Sequence, residues 1–237
     1  MTNPLAHPNH VTNARAVRIR PLSGLAQSAV LAGTGGVLDA FTYVGHGHVF
    51  ANSMTGNVVL LGVNAIGGGW QQSLRHLLPI FSFFLGVSTA KAFYLPCVSN
   101  RIQNPALAVV TLEIAILAAV GFLPAATSDF WITISVAFAA SVQTATFRDV
   151  EGSPYNSTYA TGNLRTLSES TFAWLFQGRQ PASGRIVQVF SIICTVFFAG
   201  AVVGAFLTPL LHNKVLWLVC LMLGYLWLHL TTAAPQR

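Results

Sequence analysis

Charge is what this chain most lacks. Of its 237 residues only 8% are Asp, Glu, Lys or Arg, and six acidic residues face twelve basic ones. Soluble domains carry about 25% charged residues, so a water-solvated surface is excluded for a chain of this size. Cysteine is scarce too. Cys97, Cys194 and Cys220 lie in apolar stretches without metal-ligand spacing, which excludes a disulfide framework and points to buried packing. Catalytic signatures are missing: there is no His-Glu-x-x-His, no Gly-x-Ser-x-Gly and no phosphate-binding loop. We therefore expect no enzyme, no cofactor and no metal. His46 and His48 in "GHGHVF" are only two ligands, and nothing nearby completes a tetrahedral set, so they read as interfacial histidines. No short apolar region with a following A-x-A site marks a cleaved signal peptide.

Apolar residues are what the chain has instead. They make up 53% of it, with a mean hydropathy of +0.61, and they cluster at 22–44, 77–98, 106–126, 130–147, 186–211 and 215–230. Each block approaches the ~20 residues a helix needs to cross a hydrocarbon core, where only a helix or a closed barrel satisfies the backbone. The expected fold is an all-α polytopic membrane protein with about six transmembrane helices, its partner the lipid bilayer. The net charge of +6 then reports orientation, because Lys and Arg collect on cytoplasmic loops, rather than nucleic-acid binding. Residues 1–20, with Arg15, Arg18 and Arg20, read as a flexible basic cytoplasmic tail, and 21–237 as a single membrane domain.

A shift of 106 residues, the distance from Asn57 to Asn163, lays the second half on the first. Thr55, Gly56 and Asn57 fall on Thr161, Gly162 and Asn163, Phe41 on Phe147, and Leu61 on Leu167. This reads as an internal duplication, repeat one about 21–126 and repeat two about 127–230. The Thr-Gly-Asn segments, about 49–66 and 158–176, are short and begin with polar or small residues. If both span, Arg75 joins the cytoplasmic set, but Lys91, Arg101, Arg148 and Lys214 lie outside. If both turn back at half depth, only Arg75 and Lys214 lie outside. The second arrangement fits the positive-inside bias better. It gives each repeat three crossings, so the repeats are inverted, with both termini cytoplasmic.

A helix that begins inside the membrane leaves its first N–H groups unpaired and its dipole positive there. Thr55, Gly56, Asn57, Thr161, Gly162 and Asn163 are therefore candidate binding residues for a small anionic or polar solute, with Arg165 strengthening anion binding if it faces the pocket. Two alternatives stand beside this: each step only caps a helix, and Arg165 only neutralises Glu169 one turn away.

The stretch "GGVLDAFTYVGHGHVFANSMTGNVVLLG", with Asp39, Phe50 and the first Thr-Gly-Asn, together with "ASVQTATFRDV…YATGNLRTL", resembles the YoaK-like family of bacterial multi-pass membrane proteins of unknown function. The resemblance covers nearly all of the chain after Pro21. It implies about six helices and a place in the bacterial cytoplasmic membrane, and it implies no substrate or catalytic residue.

Ionisable groups inside a bilayer are candidates for function. Lys91 and Glu113 sit at similar depth on successive blocks, as an ion pair that fixes packing or as transport groups; Lys91 can also snorkel. Asp39 either carries a coupling ion or accepts hydrogen bonds from the N-terminus of the next short helix. Asn156-Ser157-Thr158 matches a glycosylation sequon but falls on the cytoplasmic side. Gly200 with Gly204, and Ala32 with Gly36, allow close helix approach, within the chain or in an oligomer. The functions that fit are a small-solute permease and, alternatively, a non-transporting structural or regulatory membrane protein.

Overall fold

The computed structural model describes residues 24–232 apart from Gly68 and Gln103. The basic tail 1–20 and Arg237 lie outside the described residues. Nine helices follow among them: α1 (Leu25–Gly45), α2 (Met54–Ile66), α3 (Trp70–Ala92), the single-turn α4 (Pro96–Ser99), α5 (Pro105–Gly121), α6 (Asp129–Thr146), α7 (Ala160–Phe176), α8 (Pro181–Leu211) and α9 (Val215–Thr232). A two-residue ribbon, β1 (Asp149–Val150) with β2 (Ser153–Pro154), precedes α7. It is the one departure from an all-helical fold among the described residues. Local chemistry sets several helix starts. Asn104 caps α5 by accepting the Leu107 N–H at 3.1 Å, and Pro105 and Pro181 open α5 and α8, where a missing N–H costs nothing.

The bundle has an apolar core with polar side chains set into it, and large apolar side chains on its outside. Thr34, Asn57, Glu113, Gln143, Ser157 and Thr158 are fully buried, while Ile66, Phe84, Phe198, Phe206, Leu221 and Leu228 face outward. An outer surface of large apolar side chains is what lipid requires. Among the described residues only the segment Pro181–Thr232 passes a test of helix length and apolarity for crossing a membrane; Met54–Ile66 and Pro105–Gly121 are apolar but shorter. Helices α1, α3 and α6 carry inward Ser, Thr, Gln, Gly and Asp, which lowers their mean hydropathy although their outer faces are apolar.

Packing crosses between the halves. Helix α1 runs parallel to α8: a Cβ on Gly36 would meet the Phe197 carbonyl and Ala201, one on Gly204 would lie 2.7 Å from the Val37 carbonyl oxygen, and one on Gly45 would touch Thr208. Helix α3 runs parallel to α6, with Ser82 Oγ donating to the Ile134 carbonyl at 2.7 Å and Gly86 against Phe138. The 106-residue shift turns one pairing into the other. Helices α5 and α9, which the shift superposes, run antiparallel: Trp227 Nε1 donates to Thr111 Oγ1 at 3.0 Å at one end, and Asn213 Nδ2 donates to the Leu123 carbonyl at 3.0 Å at the other. The small-residue faces of α1 and α8 are thus closed on each other inside one chain. Of the two alternatives the sequence left open, contact within the chain is the one found. The three cysteines are free, and Cys97 is exposed rather than buried, because α4 lies in a connection outside the bundle.

We call the end where α1 starts the near end and the end where it finishes the far end. At the far end, Gly47 lies against both Arg75 of α3 and Asp129 of α6. At the near end, Arg185 of α8 makes paired contacts of 3.0 and 2.7 Å to Glu151, and Tyr155 Oη donates to the Ser28 carbonyl of α1 at 3.1 Å. Thus α2 leaves from and returns to the far end, and α7 leaves from and returns to the near end.

Candidate functional site

Each Thr-Gly-Asn step ends in the same brace. Asn57 Oδ1 accepts the Phe50 N–H at 3.0 Å and its Nδ2 donates to the Phe50 carbonyl at 2.7 Å. Asn163 does the same to Asn156, again at 3.0 and 2.7 Å. One side-chain amide pairs with both polar groups of a residue seven positions earlier, as a neighbouring strand would. These are the only buried residues of α2 and α7. The glycine before each asparagine makes room for the braced residue: a Cβ on Gly56 would lie 2.9 Å from the Phe50 ring, and one on Gly162 would lie 2.6 Å from Asn156 Nδ2. The amides of Asn57 and Asn163 are therefore occupied by backbone. Thr55 and Thr161 are exposed on the outer faces of their helices.

The braces hold two buried lead-in segments deep in the bundle. Asn52 Nδ2 donates to the Gly35 carbonyl at 3.1 Å. From the other end, Thr158 Cα would lie 2.8 Å from a Cβ on Gly35, and Thr158 also bonds Thr144 of α6. Both segments therefore reach one residue, and that residue is the midpoint of the 21-residue α1. Ten residues at 1.5 Å each put it about 15 Å from either end of the helix.

Asp39 accepts a backbone hydrogen bond from the segment that leads into α2. Its Oδ1 accepts the Asn52 N–H at 2.7 Å, two residues before α2 begins. A carboxylate at that place satisfies donors that the helix cannot. Arg165 Nε donates to Glu169 Oε1 at 2.8 Å, and both side chains are exposed. Arg165 therefore does not face an interior pocket. The Lys91–Glu113 ion pair is not formed: both Glu113 oxygens are buried without a partner, and Lys91 is exposed. Depth along a helix leaves its rotation open, and α3 and α5 both pack on α6 rather than on each other. Ser157 and Thr158 of the sequon are buried.

A cavity of about 290 Å³ opens at the far end, between the end of α1, the start of α3 and the start of α6. Its polar groups are His46, Gln71, Arg75, Asp129 and Thr133; Val49, Leu74, Leu78 and Phe130 supply apolar wall. His46 caps the far end of α1 and is buried at 7% exposure, its ring tilted against Phe41 and bonded through Nδ1 to Asp129 Oδ1 at 2.9 Å. Its Nε2 is buried and has no partner among the described residues. His48 is exposed against Tyr43. Sequence reasoning missed this group. Asp129 is 83 positions from His46, and the one available signal was Asp129 itself, one of only six acidic residues. Among the described residues no three or more His, Cys, Asp and Glu side chains gather as a metal site.

A helical bundle with buried polar braces and an apolar outer surface defines an α-helical membrane protein. The chain belongs to the family described as "Protein of unknown function (DUF1275)", which matches residues 27–229. It is similar to the UPF0700 transmembrane protein YoaK of Bacillus subtilis (strain 168), at 27% identity over 191 residues, covering 78% of this chain and 84% of that protein. No solved structure matches.

Proposed function

We propose that the chain is a multi-pass small-solute permease of the bacterial cytoplasmic membrane, without enzymatic activity. In this reading α1, α3, α5, α6, α8 and α9 cross the bilayer, α2 and α7 are re-entrant, and the halves are inverted repeats. The observation that carries it is the meeting of the two lead-in segments at Gly35, halfway along α1, one from each end. Broken elements meeting at mid-depth between inverted repeats are a recurring transporter arrangement. The antiparallel α5–α9 pair supports inversion: two equivalent helices that run in opposite directions are related by an axis across them.

Charge supports the orientation. Lys91, Arg101, Arg148, Arg179 and Arg185 lie on near-end elements, and Arg75 and Lys214 on far-end ones, so the near end is cytoplasmic. The solute leaning is toward a small anionic or polar molecule. A second reading, a non-transporting structural membrane protein, is favoured by the Asn57 and Asn163 amides being tied to backbone.

Purified protein in liposomes, screened for solute-dependent flux, separates the two. Saturable flux that disappears when Gly35→Val wedges the meeting point supports the permease. No flux for any small anion or polar solute, from folded protein, supports the structural reading. Single cysteines at Gln72 and His48 should label from the same, outer side; labelling from opposite sides removes the re-entrant arrangement.

A further inference from the structure

Glu113 stands where a carboxylate is least supported. It is fully buried, and neither carboxyl oxygen has a partner among the described residues. It is also the midpoint of the 17-residue α5, so eight residues at 1.5 Å each put it about 12 Å from either end of the helix. The α5–α9 pair gives the same depth by a different route. Cys220 Sγ lies 3.8 Å from the Ile114 carbonyl oxygen, and these two residues are 106 positions apart. Positions that the shift superposes touch only where the axis relating two antiparallel helices crosses them, and Glu113 adjoins that crossing. No Lys or Arg occurs on α5, or on α6 and α9 that pack against it. Among the groups that titrate on the elements facing α5, Cys220 of α9 lies beside Glu113, while Tyr225 and His229 of α9 are exposed. Asp129 sits at the far-end start of α6, and His212 and Lys214 are exposed in the far-end turn before α9. None supplies a counter-charge at mid-depth. Packing does not ask for the carboxyl either: the matching position in α9 is Val219, equally buried.

We propose that Glu113 is a proton-binding site, occupied in this closed bundle. Taking an unpaired carboxylate out of water costs far more than leaving a neutral carboxyl short of a hydrogen bond. With no cation in reach, the group is held as the acid. The proton comes from water and returns to it: the carboxylate gains one O–H bond on loading and loses it on release, and no other group changes. Because Glu113 is sealed where α5 packs on α6 and α9, exchange with water requires these helices to part. Carboxyls buried within membranes form the proton relays of pumps and transporters. The inference rests on the permease reading only for its consequence. Parting from one end or the other hands the proton to one side or the other, which makes the permease proton-coupled.

Infrared spectroscopy of the full chain in lipid nanodiscs reads the proton directly. A protonated-carboxyl C=O stretch is expected at neutral pH, where an ordinary carboxyl is ionised. Glutamate carrying a heavy carboxyl carbon should shift that band. The chain has three glutamates, and Glu151 and Glu169 are paired with Arg185 and Arg165, so the label assigns the band to Glu113 without any substitution. The band should vanish in Glu113→Gln and Glu113→Val and stay in Lys91→Ala. Absence of the band from folded wild-type protein, a band that ignores the label, or one that persists in a folded Glu113→Gln protein would each overturn the proposal. Flux keeps the two readings apart. In liposomes holding a pH-sensitive dye, wild-type flux of a small anion or polar solute should move protons with it, and Glu113→Gln should lose that proton movement. Solute flux that moves protons equally in Glu113→Gln removes the coupling role and leaves the permease. The labelled band without any solute flux leaves the proton site and removes the permease.

Discussion

At the far end Asn57 holds Phe50, and the chain before it leaves a cavity between α1, α3 and α6. At the near end Asn163 holds Asn156 with the same two bonds, but the chain before it folds into the β1–β2 ribbon, whose Glu151 is clamped by Arg185. The shift that matches the braces puts Gly152 where His46 stands and Pro181 where Arg75 stands. One end thus carries a buried histidine and an arginine without an ion pair among the described residues, and the other a hairpin and a satisfied ion pair. The lead-in segments differ in the same way: Asp39 receives the first, whereas Ala145 occupies its matching position and hydroxyls of Thr144 and Thr158 serve the second. The braces are common scaffold, and what each half carries around its brace is particular to one end of the bundle.

The largest effects should come from the crossings both halves share. Gly200→Leu in α8 and Gly86→Val in α3 each drive a side chain into a facing backbone. Both should cost at or beyond the ~1–3 kcal/mol of overpacking, seen as loss of a monodisperse peak on size exclusion. A variant tolerated at one crossing and not the other breaks the equivalence. Next come the braces. Asn57→Ala and Asn163→Ala each leave a buried N–H and carbonyl unpaired, for a loss of about 2–3 kcal/mol by thermal unfolding in detergent. Unequal losses would show which half relies more on its brace.

Asp39→Ala should cost about 1–2 kcal/mol and sharpen the contrast between the lead-in segments. Hydrogen exchange should rise at 51–53 and stay unchanged at 157–159. The smallest effect belongs to the near-end clamp. Arg185 holds the Glu151 carboxyl below its ordinary 4.5, so the clamp's contribution is fully present above that pH and fades as the carboxylate protonates below it. Glu151→Gln should melt slightly lower than wild type at neutral pH, and the two curves should merge in acid. A difference that persists at low pH would assign the effect to something other than this charge.

The matching braces were legible because each demands an asparagine and a small residue before it, both visible as Thr-Gly-Asn. Their role was not. Nothing in the sequence says that the Asn57 amide turns back to Phe50 rather than toward a solute. Asp39 was legible as a helix-terminus acceptor because it precedes that terminus by a short loop. The Lys91–Glu113 pairing failed because depth is encoded along a helix while azimuth is set by what the helix packs on. The cavity group escaped for a related reason: His46, Arg75 and Asp129 come from three elements, and only the parallel packing of α3 on α6 brings their starts to the end of α1.

The exchange of partners between halves bears on how the protein is made. Helix α1 leaves the ribosome early, but its mate α8 ends at Leu211. At ~5–20 residues per second, synthesis of the intervening chain takes on the order of ten seconds. During that interval the glycine groove of α1 has no mate, so the two halves close on each other only when the chain is nearly complete.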